Sequence, residues 1–344
     1  MGLCRILMNV ALLAGIGSVA CAGQVSGLVT FSAGTTAKAA EVNGNFTAMK
    51  SAVDDNHARI QALEQAVAAL QSTVATLSAQ LSTVQGSSVM ALEDYLTVAD
   101  DDYGRPRARL SRINLQIVNG EGGTSTANGL GNLIVGYDEP REMGGPVCSI
   151  GQHIDETSCV ANNGTWALSH KSGSHYVIVG MGNSYSQYGG LLAGVANVGN
   201  GEFASVTGGT LNTASGRLAS VTGGQENTAY GQLASVTGGQ DNIARGEFAS
   251  VAGGQGNAAS GAYANVSGGW NNHATGPYAS VTGGLANEAS GQVASVSGGS
   301  WSVASGSGSS VTGGLNNTAS HVGSTVGGGH NVSTSTDLEW IAGP

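Results

Sequence analysis

Apolar residues between 42 and 84 recur at alternating steps of three and four. The a positions are Phe46, Val53, Ile60, Val67, Val74 and Leu81, and the d positions are Val42, Met49, Asn56, Leu63, Leu70, Leu77 and Val84. A seam sustained this long predicts a coiled-coil helix rather than one face of a globular helix. Such a rod would be about 65 Å long at 1.5 Å per residue. A lone helix would leave the stripe in water, so the seam predicts oligomerisation. Gly86, followed by Ser87 and Ser88, ends it.

From Gly201 the pattern changes to a strict period of 15, as in GEFASVTGGTLNTAS (201–215), GQLASVTGGQDNIAR (231–245) and GPYASVTGGLANEAS (276–290). A valine column runs from Val206 to Val326, a Gly pair follows each valine, and an alanine column runs from Ala214 to Ala319. Asn212, Asn227, Asn242, Asn257, Asn272, Asn287 and Asn317 mark a turn, with Ser302 the exception. An earlier coil, Leu191-Leu192-Ala193-Gly194 with Asn197, fits the same phase, and Ile178-Val179-Gly180 with Asn183 fits one residue out.

A short fixed period predicts a solenoid. Ala204-Ser205-Val206-Thr207 alternates as a strand with one buried face. Gly208-Gly209 turns the chain, and residues 212–214 form a second strand with Ala214 inward. Stacked coils give parallel ladders with rungs about 4.8 Å apart, so ten of them make a prism about 45–50 Å long. The predicted fold is mainly β, a parallel β-roll or solenoid of 15-residue repeats preceded by an α-helical coiled coil. The chain divides into a signal segment (1–22), a linker (23–41), the coiled coil (42–86), an irregular joint (87–174), the β-roll (175–335) and a tail (336–344). In the joint, Ile113-Asn114-Leu115-Gln116-Ile117 alternates like a strand. Asn132–Gly136 matches the later Tyr176–Gly180, which predicts an initial coil. A loop from Tyr137 to Ser174 interrupts that coil and carries Cys148, Cys159 and Trp166. Loops on rigid scaffolds often carry recognition; the preferred reading is a stapled insertion that caps the end of the roll.

These repeats, with their S-V-x-G-G and x-A-x-G elements over roughly 175–335, resemble the YadA-like head of trimeric autotransporter adhesins. The resemblance implies a left-handed parallel β-roll, three copies of which pack into one head. Those adhesins end in a membrane-embedded β-barrel, for which Ser335–Pro344 is far too short, and their stalk usually follows the head rather than preceding it. Membrane anchorage, self-secretion and binding to host matrix are therefore not carried over. Strand number has two readings. β-Branched a residues with Leu at d usually favour dimers. Arg59-Ile60-Gln61-Ala62-Leu63-Glu64, however, resembles the short R-h-x-x-h-E trimerisation motif, with Arg59 and Glu64 placed to pair across neighbouring chains. Asn56 is a polar core layer that either fixes register, as in similar trimeric bacterial stalks, or is a frayed, hydrated layer. Phe31–Glu64, containing Glu41–Phe46, is similar to a leader common in secreted proteobacterial proteins.

Export is also read from the start of the chain. Arg5, the apolar run Ile6–Val19 and Ala20-Cys21-Ala22 form a cleavable signal. Ser18-Val19-Ala20-Cys21 resembles a lipoprotein box, which would place a lipid on Cys21; plain cleavage is the preferred alternative. In an exported chain, Cys148 and Cys159 then read as one disulfide, worth about 3 kcal/mol in the chain-entropy model. The rival metal site would need more ligands at close spacing, and His153 and His170 are not so arranged. No apolar stretch of spanning length follows the signal.

Composition changes the picture at one point. The chain has 344 residues, of which 10% are charged and 5% aromatic, and its net charge is −10. That balance opposes nucleic-acid binding and an ordinary enzyme core. Asp100-Asp101-Asp102 lacks the spacing of a calcium loop and reads as a solvated turn. The Gly runs are followed by no G-K-[ST], and no nucleophile elbow has its partners. His273, His321 and His330 sit at unrelated repeat positions. No catalytic residue, cofactor or metal is expected. Trp270 and Trp301 either anchor a partner or fill a groove between subunits, and Phe203, Leu218, Tyr263 and Tyr278 vary the surface. The expected function is that of a non-enzymatic, homotrimeric, secreted or surface-attached fibrous protein whose adhesin-like head binds an extracellular protein or glycan. The alternatives are a purely structural matrix, coat or fibre protein and, through columns such as Ser205-x-Thr207 that resemble the Thr-x-Thr ladders of insect antifreeze solenoids, an ice-binding surface. A polysaccharide-cleaving β-helix is disfavoured, because residues 201–320 hold only Arg217 and Arg245 as basic side chains.

Overall fold

The structure, a computed structural model, describes residues 25–343. The expected signal segment and Cys21 lie outside the described residues. Two compact units divide at Asn114 and Leu115.

In the first unit, helix α1 spans Ala39–Gln85. Glu41 lies in its first turn, where a carboxylate suits the helix dipole. Gly86 closes the helix, its N–H donating to the Ser82 carbonyl at 2.9 Å. The apolar seam residues from Phe46 to Val84 stay exposed along its length, Ile60 at 53% and Leu63 at 60%. Among the described residues, no element covers the stripe from Ile60 onward. An extended segment ahead of the helix docks on it through Asn45, whose side chain accepts from the Val29 N–H at 2.8 Å and donates to the Val29 carbonyl at 2.9 Å.

Beyond a turn of 3-10 helix at Met90–Leu92, strands β1 (Leu96–Asp100) and β2 (Pro106–Leu110) form an antiparallel hairpin with Leu96 opposite Leu110. Asp101 builds its turn by accepting from the N–H groups of Tyr103 and Arg105 and pairing with the Arg105 guanidinium at 2.7 Å. The strand expected over 113–117 does not form. Those residues are assigned to no strand, and the hairpin upstream closes on itself through Asp101.

The second unit is a parallel β-solenoid of about eleven turns. One sheet has 13 strands, from β3 (Leu133–Val135) to Trp340–Ile341; the other has 10, from Ser184–Tyr185 to Thr318–Ala319. Each residue stacks on its equivalent, Val206 on Val221 and Ala214 on Ala229. Single bridges at the corner after the Gly pair make a third line, Thr210 to Gln225 to Gln240. The roll runs past Ser335, because Trp340–Ile341 adds a rung to Thr325–Val326.

The interior is narrow. Ala204, Val206, Ala214 and their equivalents are buried completely or nearly so. One coil buries too little apolar area to offset the entropy of ordering its residues, so each depends on the coils above and below. The asparagines are more than turn markers. Asn242, fully buried, donates through Nδ2 to the carbonyls of Gly238 and Gly254 and accepts the Asn257 N–H on Oδ1. Repeated up the roll, this ladder satisfies the backbone at the turn from inside. A Cβ built on Gly231 would overlap the carbonyl of Gly246, so only glycine lets the coils approach there.

The first coils are shorter. Val206 pairs with Leu192, not Leu191, and Leu192 pairs with Ile178. The step between these core residues is 14, and it becomes 15 from Val206 to Val221. The missing residue is one of the Gly pair: Ala193-Gly194 does the work of Thr207-Gly208-Gly209, and Val195 regains register with Thr210.

The loop expected to cap the roll lies along its flank instead. It contains β4 (Val147–Cys148), α2 (Glu156–Ala161) and β5 (Trp166–Ala167), with β4 and β5 antiparallel. Its anchors reach sideways: Arg141 Nε donates to the Ala196 carbonyl at 2.9 Å, Gln187 to Ser149 at 2.9 Å, and Asn200 to Cys148 at 2.7 Å. The strand Ser174–Met181 (β6) then resumes the first sheet beside β3.

Candidate functional site

Two outward columns carry most of the large exposed side chains of the roll. Both occupy left-handed backbone, which non-glycine residues adopt at a cost. One column contains Phe203, Leu218, Leu233, Phe248, Tyr263, Tyr278 and Val293, with φ from 56° to 60°. Backbone bonds such as Tyr263 N–H to the Glu247 carbonyl at 2.8 Å hold the conformation. Phe248 and Tyr263 stack with centroids 4.8 Å apart and planes at 7°, and Tyr263 and Tyr278 stack at 4.9 Å and 4°. The coil spacing sets that distance. The rings therefore spend their faces on one another, and solvent meets their edges. Phe203 instead packs edge-on with Tyr188, centroids 5.2 Å apart.

The second column holds Leu211, Glu226, Asp241, Asn271, Ala286 and Trp301. Trp270 stands one residue earlier, in the corner line that continues through Leu285 and Ser300. Trp270 is 49% and Trp301 56% exposed. Two rungs separate the coils that bear them, a distance of about 10 Å. Neither indole stacks on another described aromatic ring; Trp270 lies between Gln255 and Leu285 of the neighbouring coils.

The stapled loop and the roll enclose a cleft. Cys148 and Cys159 are joined by a disulfide, with Cα atoms 5.6 Å apart, and both are buried. One part of the cleft, about 480 Å³, is lined by Arg141, Pro146, Leu211, Glu226, Tyr230 and Asp241. An adjoining part is walled by Cys148, His153, Trp166 and Asn200. Arg141 is almost wholly buried and donates to the carbonyls of Ala196, Gly145 and Leu168. Burial pushes its guanidinium down from its ordinary value. Burial likewise raises Tyr230, and burial and then the charge of the facing Glu226 one rung below raise Asp241. Arg245 lies over the Tyr230 ring, 5.7 Å from its centroid. Arg141, Asn45 and the Glu226–Asp241 pair were not singled out from sequence. The 15-residue offset of Glu226 and Asp241 was the signal available for that pair.

On α1, Asn56 and Arg59 are half-buried, while Ile60, Leu63 and Glu64 face solvent. Among the described residues, Arg59 and Glu64 form no ion pair with each other; Lys50 pairs with Asp54 at 2.6 Å and Lys38 with Glu41 at 3.7 Å. No described helix is long and apolar enough to cross a membrane. No group of three or more metal-ligating side chains converges among the described residues. No known family model matches the chain, and no curated protein matches it.

Proposed function

We propose that the chain is an exported, non-enzymatic, homotrimeric fibrous protein in which a coiled-coil rod bears a YadA-like attachment head at the cell surface or outside the cell. The observation that carries this reading is the unburied apolar seam of α1 joined in one chain to a roll of rigid repeats. The seam demands neighbouring chains, and Arg59-Ile60-Gln61-Ala62-Leu63-Glu64 supplies a trimer-selecting motif, with Arg59 and Glu64 bridging chains. The roll keeps its inward valine and alanine columns nearly constant and varies the outward residues, so its surface can be tuned for a protein or glycan without disturbing its core. Trp270 and Trp301 are the anchors best placed for that contact, because both are large, about half exposed and held on rigid coils.

Native mass measurement of the exported protein, with and without reductant, tests the assembly. Three copies are expected in both conditions, and Ile60→Asn with Leu63→Asn should yield single chains. A monomeric mass for the unaltered protein overturns the reading. If the trimer forms but shows no saturable binding to extracellular glycans or proteins, the purely structural role takes its place.

A further inference from the structure

Four of the chain's 12 Lys and Arg residues fall between 105 and 112, in a protein of net charge −10. Arg105 is neutralised by Asp101 at 2.7 Å. Arg107, Arg109 and Arg112 have no carboxylate within ion-pair distance among the described residues. Strand alternation puts Arg107 and Arg109 on the same face of β2, about 7 Å apart. Across the hairpin they face Ala99 and Thr97. Those short side chains leave a hollow of about 360 Å³, lined by Thr97, Ala99, Arg107, Arg109, Ser111 and Arg112. Arg112, in left-handed backbone at φ 61°, is pinned to the hollow by donating to the Asp94 carbonyl at 3.0 Å. The opposite face of the hairpin carries Leu96, Val98, Ala108 and Leu110, so the cations are segregated on one side.

Three guanidiniums without a paired carboxylate converge on this hollow, and Coulomb attraction favours an anion among them. We propose that this hollow is an oxyanion-binding site that takes a sulfate or phosphate group. Guanidinium forks match the geometry of such groups through paired N–H donors, and Thr97 and Ser111 add hydroxyl donors. The site is built wholly from residues of the first unit and requires neither the head nor its attachment role.

The test uses the full chain and the variant Arg107→Gln/Arg109→Gln, with Arg217→Gln as a control for general charge. Binding of inorganic sulfate, inorganic phosphate, a sulfated polysaccharide and vesicles of an anionic phospholipid is titrated against salt. Circular dichroism and native mass check that fold and assembly persist. The double variant is expected to lose affinity about tenfold or more, and its plot of log affinity against log salt should flatten by about one unit per guanidinium removed. Arg107→Lys/Arg109→Lys should keep the salt slope but bind more weakly. A preference for the polysaccharide or the vesicles over the free anions identifies the source of the group. Unchanged affinity in the double variant, or an equal loss in Arg217→Gln, overturns the proposal. So does a double variant whose only change is in assembly mass, which would make carboxylates of a second copy the partners of these arginines.

Discussion

Ser302 occupies the ladder position that Asn287 and Asn317 hold on either side. It is fully buried, yet its Oγ reaches only the Ser300 carbonyl at 3.4 Å and receives the Asn317 N–H at 3.4 Å. The carbonyls of Gly298 and Gly314 therefore lack the side-chain donor that Asn287 gives to Gly283 and Gly299. Ser302→Asn should restore both bonds and stabilise the roll by roughly 1–2 kcal/mol, since a net hydrogen bond contributes about 1 kcal/mol. Asn242→Ala should do the reverse and cost more, because the buried Asn257 N–H loses its acceptor and the Gly238 carbonyl its side-chain donor, at roughly 1–3 kcal/mol each, while the Gly254 carbonyl keeps the Gln240 N–H. Denaturant unfolding followed by circular dichroism measures both. Asp241 makes a second residue-level case. Burial and the facing Glu226 raise its carboxyl above the usual value of 3.8. A raised acid in the folded state contributes stability while protonated and loses it as pH climbs. Asp241→Asn should thus raise Tm at pH 7, and the gain should vanish below the ordinary carboxylate range. Asn also suits the left-handed backbone at φ 56°. A gain that persists unchanged in acid would show that the backbone fit, not the charge, is responsible.

At the scale of elements, legibility follows the range of the interactions involved. The valine and alanine columns, the Gly pairs and the long helix could be read because one residue per period carries each signal. Asn212 and its equivalents could be placed but not understood, since a position in a repeat does not reveal that an amide points inward and bonds two coils. The hairpin at 96–110 was hidden for a different reason: Asp101 reads correctly as a turn residue, but the flanking Leu96–Asp100 and Pro106–Leu110 are short and half polar. The flank position of the stapled loop was out of reach, because it depends on Arg141 meeting Ala196 across 55 residues. That dependence is testable. Arg141→Met removes the donors to Ala196, Gly145 and Leu168 while keeping an unbranched stem. Limited proteolysis between residues 149 and 165 should accelerate even with the disulfide intact. The roll's own melting transition should move by at most a few degrees, because its coils are coupled to their neighbours rather than to the loop. A collapse of the whole roll would instead make Arg141 part of its core.

The molecule as a whole is a register device, and its own first coils show which errors it tolerates. Between Leu192 and Val206 the chain already runs a residue short, and the shortage is absorbed where Gly194 replaces a Gly pair, before the corner at Thr210. The Gly pair lies outside both strands, so losing one of its members shifts no inward residue. Deleting Gly238 should therefore give a folded roll with a modestly lower Tm. Deleting Ser235, only three residues away, should be far more damaging. It would turn either Ala234 or Val236 outward, because side chains alternate along a strand and a slip of one residue exchanges its faces. Removing a whole coil, residues 231–245, restores the pairing of Val221 directly with Val251 and should shorten the roll by about 4.8 Å while keeping it cooperative. Melting curves and small-angle scattering on the three deletions should rank them with the loss of the coil and of Gly238 close to the parent and the loss of Ser235 far below. If the Gly238 and Ser235 deletions prove equally harmful, the fold is governed by strand length rather than by the separation of its inward columns from its turns, and the 14-residue coils at its start would need another explanation.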